Sequence, residues 1–339
     1  MRIVLDAMGS DTHPEPEVRA AIEATRDSED EIILVGPDQE IHTQLRRITK
    51  DYPLIRVVHA PEVLEMSDKP AENARRKTQN SMSVGMNLIK NGEADAFITA
   101  GNTGGAMATA LFQLGRIRGI KRPALTALFP VKAGYCVVLD IGANADCKAE
   151  YLMQFAIMGS IYANKVMGIP NPRVALLSNG EEAGKGNELV KESYPLIQSS
   201  GLNFIGNVEG KELFGGEVDV VVTDGFTGNI LLKSSEAVAK LITELLREEL
   251  TSSLRTKAGA LLARPAFAGI KKMMDPAEVG AAPLLGVNGL VFIGHGRSDA
   301  RALVNAIQVA KQAVSSDLLQ ALQTAIKDRL AQPNTRVAI

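Results

Sequence analysis

Residues 95–107 read DAFITAGNTGGAM. An apolar strand over 96–100 runs without a break into Gly101, Asn102, Thr103, Gly104 and Gly105, after which apolar residues resume. A strand that is apolar at every position is buried on both faces, as in a parallel sheet with helices on either side. Similar β-branched runs occur at 3–5, 32–35, 55–58, 124–129, 136–141, 174–177, 218–223 and 290–293. Stretches with helical spacing separate them, at 14–26, 71–90, 152–166, 182–198 and 230–250. This alternation predicts one α/β domain over 1–339, three-layered α/β/α around a mainly parallel sheet.

The rhythm stops over 251–285, where no strand is expected. There Leu254, Ala258, Leu261 and Leu262 alternate with Arg255, Lys257 and Arg264, and the pattern restarts after Pro265 with Phe267, Ile270, Met273 and Met274 beside Lys271 and Lys272. Two short helices are expected, each with an apolar stripe and basic neighbours. Such an excursion packs against the core or a partner subunit, or meets an anionic membrane surface through 251–274.

Composition narrows the function. Lys and Arg number 37 against 39 Asp and Glu, so a net charge of -2 gives no global field for nucleic acid, and none is expected as a partner. Two cysteines, Cys136 and Cys147, make no disulfide framework, and a reducing cytoplasmic setting is expected. No signal-peptide core and no spanning run of about 18 apolar residues is found.

The loops after the strands are more informative. Six strand ends lead into DAMGSD, AGNTGGA, DIGANADCK, SNGEEAGKGN, DGFTGN and GHGRSD. In an open α/β sheet, ligands bind where loops and helix N-termini gather at carboxyl ends of strands. Free N–H groups there suit an anion. Known anion motifs fail: no G-x-G-x-x-G follows a strand, and GEEAGKG lacks a residue for the G-x-x-x-x-G-K loop. No G-x-S-x-G elbow occurs, and the four histidines leave few ways to build a Ser-His-Asp site. No zinc spacing occurs, while spacing leaves a loose magnesium on Asp6, Asp140 or Asp224 open. Lys185, at the expected start of a helix, suits an anion as well as it suits solvent. The Asn229 amide either caps a helix or donates to an oxyanion.

Taken in order, LDAMGSD, TAGNTGGA, LDIGANADCK, NGEEAGKGNE, TDGFTGNILLK, GAAPLLGVNG and GHGRSD resemble the signature blocks of the bacterial acyl-ACP:phosphate acyltransferase family, PlsX, from Met1 to about Gln312. Ser10 stands where a second glycine is common, and 279–282 (VGAA) where an aromatic and two glycines are common. The resemblance implies transfer of a long-chain acyl group from acyl carrier protein to inorganic phosphate, giving acyl phosphate for phospholipid synthesis. It further implies a homodimer at the cytoplasmic membrane, no metal or organic cofactor, and a fold similar to phosphate acetyltransferases and isocitrate/isopropylmalate dehydrogenases.

Phosphate is already a nucleophile, so the expected tasks are to hold it in line and to stabilise the oxyanion. Lys185, Asn229, Asp224 and, for the leaving thiolate, His295 are the catalytic candidates. Asn102, Thr103, Gly104, Gly105, Asp140, Asn144, Gly184, Gly186, Gly225, Thr227 and Gly228 are the substrate- and phosphate-binding candidates. Competing readings are a short-chain phosphate acyltransferase using acyl-CoA, a decarboxylating dehydrogenase, or a non-enzymatic membrane scaffold.

Overall fold

The computed structural model describes residues 1–26, 28–132 and 134–331, apart from the side chains of 271, 272 and 329–331. Its strands are β1 (Arg2–Asp6), β2 (Glu31–Gly36), β3 (Ile55–His59), β4 (Ala96–Thr99), β5 (Ala124–Val131), β6 (Gly134–Leu139), β7 (Val174–Leu177), β8 (Phe204–Val208), β9 (Val220–Val222), β10 (Ala282–Leu285) and β11 (Val291–Ile293). The helices are α1 (Glu15–Thr25), α2 (Asp38–Ile48), α3 (Pro70–Arg76), α4 (Ser81–Lys90), α5 (Thr103–Gln113), α6 (Ala149–Lys165), α7 (Glu188–Gln198), α8 (Gly210–Gly215), α9 (Gly225–Thr251), α10 (Leu254–Met274), α11 (Pro276–Val279), α12 (Ala300–Ser315) and α13 (Leu318–Ala331).

Among the described residues eleven strands form one sheet, in the order β3-β2-β1-β4-β11-β10-β5-β6-β9-β7-β8. Side-chain alternation supplies two cores. Ile3, Leu5, Ile32 and Leu34 face one layer with α1, α6 and α12, while Val4, Ile33, Val35 and Phe97 face the other with α4 and α5. The expected three-layer α/β/α arrangement is present.

The sheet is not parallel throughout, and this matters for the site. β10 pairs antiparallel with both β11 and β5, and β5 pairs antiparallel with β6. Three reversals turn β6, β9, β7 and β8 opposite to β1, β2, β3, β4 and β11. The six glycine-rich strand ends therefore do not gather at one edge: DAMGSD, AGNTGGA and GHGRSD lie at one, and DIGANADCK, SNGEEAGKGN and DGFTGN at the other.

Three local expectations are corrected. The stretch 71–90 is two helices, because Lys77 to Asn80 break it and the Asn80 side chain caps α4. The segment 251–285 contains strand β10. Residues Leu254 to Met274 form one helix with Pro265 inside it, not two. α9 and α10 make a hairpin whose Leu254 and Leu262 are 86% and 84% exposed. The basic pair Lys271 and Lys272 lies outside the described side chains.

At the end of β1, Thr99 Oγ1 donates to Asp6 Oδ2 at 2.7 Å and accepts from the Gly101 N–H at 2.9 Å, fixing the start of AGNTGGA. Gly9 must be glycine, since a Cβ there would stand 2.7 Å from the Ala100 nitrogen. The adjacent Ser10 N–H donates to Glu17 Oε1 at 2.9 Å, while Glu17 Oε2 has no partner among the described residues. Burial pushes the Glu17 carboxyl from 4.5 up to about 7. Such an acid is neutral in the fold over a range where it is charged when unfolded. Its stabilisation is complete below about pH 4.5 and is lost as pH rises through 7, a change on the order of 3 kcal/mol. Glu17→Gln is therefore expected to flatten stability between pH 5 and 8. Urea unfolding at both pH values checks it, and an unchanged difference between them would refute the assignment.

Candidate active site

A chamber of about 740 Å³ opens between α5 and α9, over β5 and β10. It lies within the ~300–1,000 Å³ common for small organic ligands. Alternate residues of β5, Leu125, Ala127 and Phe129, form an apolar stripe along it, spanning about 13 Å of strand. Met107, Leu232 and Met273 add apolar walls from α5, α9 and α10. Polar side chains line it too, among them the Lys233–Glu236 pair at 2.9 Å, and the sequence candidates among the lining residues are Thr103, Gly104, Asn229 and His295. Loops from both edges of the sheet thus meet here, because the chamber bridges the antiparallel middle.

One wall is the start of α5. Asn102 caps that helix, its Oδ1 accepting from the Gly105 N–H at 2.8 Å, and its amide donates to the Glu65, Met66 and Asp68 carbonyls. Asn102 and Gly105 are therefore occupied in building the turn. The Thr103 and Gly104 N–H groups are left with no partner among the described residues, as the first donors of a helix are. Gly104 is small for a second reason: a Cβ would meet Pro70 Cγ at 2.7 Å.

The facing wall is a knot around Asp140. Its carboxylate accepts from the backbone N–H groups of Leu125, Gly142, Ala143 and Asn144 and from Asn144 Nδ2, at 2.7–3.2 Å. Burial pushes this carboxyl up, and the hydrogen bonds from Ala143, Asn144 and Leu125 oppose the shift. Asn144 Nδ2 also donates to the Pro123 carbonyl at 2.7 Å, and the Asn144 carbonyl accepts from the Gly225 N–H at 2.8 Å. The Asp140 carboxylate and the Asn144 amide nitrogen and carbonyl are thus engaged within this wall.

Gly225 and Gly228 serve the same knot. A Cβ on Gly225 would stand 2.6 Å from the Asn144 carbonyl oxygen, and one on Gly228 only 2.0 Å from that of Asp140. Their bareness lets α9 press on the loop, where the sequence suggested room for a ligand. Asp224 caps α9, accepting from Thr227 N–H and Thr227 Oγ1, both at 2.8 Å, so a protein carboxylate already fills that helix start. Asn229 is not the cap. It is exposed, with no hydrogen-bond partner among the described residues, and its side chain lies beside Gly142 on the chamber wall.

His295 also lines the chamber. Its Nδ1 accepts from the Arg297 N–H at 3.2 Å, which assigns the proton to Nε2 and leaves that atom as a donor. Lys185 sits in an exposed loop three residues before α7, outside the chamber lining, because Gly186 takes φ 96° and Asn187 caps the helix. A side chain on Gly184 would meet open space.

Sequence reasoning missed the apolar walls, although the alternation in ALTALFPV carried the signal. It missed, too, the anchor of the chamber roof. Arg301 on α12 pairs with Asp275, and with Glu278 at 3.4 Å, while Asn305 Nδ2 donates to the Ala277 carbonyl at 2.7 Å. These bonds fix the foot of the α9–α10 hairpin, where Pro276 and Val279 close over the chamber.

The chain is similar to known proteins along nearly its whole length. A family model described as fatty acid synthesis protein matches residues 1–321. Several curated relatives bear the name phosphate acyltransferase. That of Pelotomaculum thermopropionicum is 47% identical over 96% of this chain and 95% of its own length. That of Elusimicrobium minutum is 46% identical over 97% and 96%. Among solved structures, a phosphotransacetylase from Streptococcus pyogenes superposes with a TM-score of 0.63 at 17% identity, over 95% of this chain and 94% of that one. A branched-chain phosphotransacylase from Enterococcus faecalis gives 0.56 at 14%, over 93% and 99%. At such identities these structures show the fold alone.

Proposed function

The chain belongs to the fatty acid synthesis protein family, and from that premise we propose that the acyl group it transfers to phosphate is a long fatty chain delivered as a thioester of acyl carrier protein. The observation that supports this most is the chamber itself: an extended apolar stripe with unpartnered donors on its walls. The lining from Ala127, Met107, Leu232 and Met273 extends the apolar surface beyond what a short acyl group would touch, and each methylene of a long chain buried there contributes about 0.8 kcal/mol.

In this reading the Thr103 and Gly104 N–H groups seat phosphate at the start of α5, with the helix dipole favouring its charge. A phosphate oxygen attacks the thioester carbonyl carbon and the carbonyl oxygen gains charge. The Asn229 amide donates to that oxyanion. As the intermediate collapses, the C–S bond breaks, the thiolate leaves, and His295 Nε2–H is the candidate to protonate it. The products are acyl phosphate and free carrier thiol. Lys185, outside the chamber, is assigned to anionic groups of the donor arm. Asp140, Asn144, Asp224, Thr227, Gly225 and Gly228 hold the wall that positions Asn229, and Asn102 and Gly105 hold the wall that positions phosphate.

The α9–α10 hairpin, with its exposed leucines and basic neighbours, suits an anionic membrane surface or a second subunit, and a peripheral, cytoplasmic homodimer is the assembly proposed. No helix among the described residues is long and apolar enough to cross a membrane. The test is incubation with palmitoyl-carrier and phosphate, without added metal or nucleotide. Acyl phosphate and free thiol are expected in equal amounts; no phosphate-dependent product would reject the donor.

A further inference from the structure

The loop 116–122, RIRGIKR, carries four cations and no acid in seven residues, in a chain whose net charge is -2. A charge run is ordinarily a mobile, solvated surface. This one is built. Ile117 and Ile120 are 3% exposed, and the Ile117 N–H donates to the Gly286 carbonyl at 3.0 Å. The Gln154 side chain, itself 6% exposed, uses both ends of its amide here. Its Oε1 accepts from the Lys121 N–H at 2.8 Å, and its Nε2 donates to the Gly119 carbonyl at 3.0 Å. Gly119, at φ 101°, makes the reversal that other residues disfavour. With the isoleucines turned in, Arg116, Arg118, Lys121 and Arg122 are all turned out to solvent.

Two of these cations are already engaged. Arg116 Nη1 donates to the Lys121 carbonyl, and Lys121 stands 4.0 Å from Glu150. Arg118 and Arg122 have no ion pair among the described residues. The platform is joined directly to the chamber wall: Pro123, next after Arg122, accepts from Asn144, the neighbour of Ala143 and Gly142, beside which Asn229 lies.

We infer that this loop is the docking surface for the acidic carrier protein that brings the acyl thioester. The inference rests on the donor proposed above and adds where that donor sits. A rigid cationic platform costs little ordering on binding, and complementary charge at the rim of an interface acts chiefly on encounter and on salt dependence. Docked here, the carrier places the root of its flexible arm at the Gly142 and Asn229 end of the chamber.

The experiment compares two donors of the same acyl group, one on acyl carrier protein and one on coenzyme A, for the whole enzyme and for R118E/R122E. The variant is expected to raise KM for the carrier-bound donor about tenfold or more, to weaken its salt dependence, and to leave kcat/KM for the coenzyme A donor within twofold. An equal loss with both donors, or an unchanged carrier KM, overturns the inference. Sedimentation with anionic phospholipid vesicles supplies the competing outcome: vesicle binding lost with carrier KM retained would assign the loop to a membrane instead. Failure of the wild-type enzyme with the carrier donor would reject the donor proposal, a result distinct from each of these.

Discussion

Asn229→Ala is expected to lower kcat by about a hundredfold or more, with little change in KM for either substrate. The size follows from the role: removing one donor from a developing oxyanion costs ~10²–10³ in kcat. The selectivity for kcat follows from the geometry. The Asn229 amide makes no hydrogen bond within the protein among the described residues, so its loss leaves no buried group unsatisfied, and the side chain is exposed near the start of α9. Asn229→Asp separates donation from mere size, because a carboxylate of the same shape offers acceptors to an oxyanion and should be at least as damaging. Steady-state kinetics with circular dichroism of both variants checks this. A kcat within threefold of wild type for Asn229→Ala would remove the residue from the mechanism.

The positions of the loops were more legible in the sequence than what their glycines pack against. β-branched runs marked nine strands. β8, FIGNV, escaped because Gly206 and Asn207 interrupt its apolar run, and β10, APLL, because it is four residues long and contains Pro283. Strand direction was not legible at all. Whether β5 runs with or against β6 depends on its partner, not on its own residues, and that reversal divides the six loops between two edges. Loops on opposite edges still share a chamber because α5 and α9 descend over the same face of the sheet.

Helix limits followed caps more closely than periodicity. Asn187 and Gly186 set the start of α7 and so left Lys185 on a loop. The glycines were the deepest ambiguity. A residue without a side chain admits either a ligand or another piece of backbone, and only the neighbour distinguishes them. Thr103 and Gly104 line the chamber and their N–H groups have no partner among the described residues; for Gly225 and Gly228 the neighbour is the carbonyl of the adjacent loop.

Gly228→Ala puts that distinction to a direct test, and it is expected to destabilise the protein by about 3 kcal/mol or more. The added Cβ would lie 2.0 Å from the Asp140 carbonyl oxygen, a backbone atom that cannot turn aside as a side chain does. To make room, α9 must lift from the Asp140 loop. That movement strains the bond from Gly225 to Asn144 and carries Asn229 away from Gly142, so the surviving folded enzyme should lose kcat as well. Gly184→Ala is the counterpart. Its Cβ would enter open space, and its stability should change by no more than about 0.5 kcal/mol. If both glycines instead served to let a phosphate approach the backbone, the two alanine variants would fold equally well and would both bind phosphate weakly. Urea unfolding of the two, with phosphate KM measured on the folded fraction, distinguishes these outcomes. A stable Gly228→Ala enzyme with raised phosphate KM would return that glycine to the ligand and move the anion seat from α5 to α9.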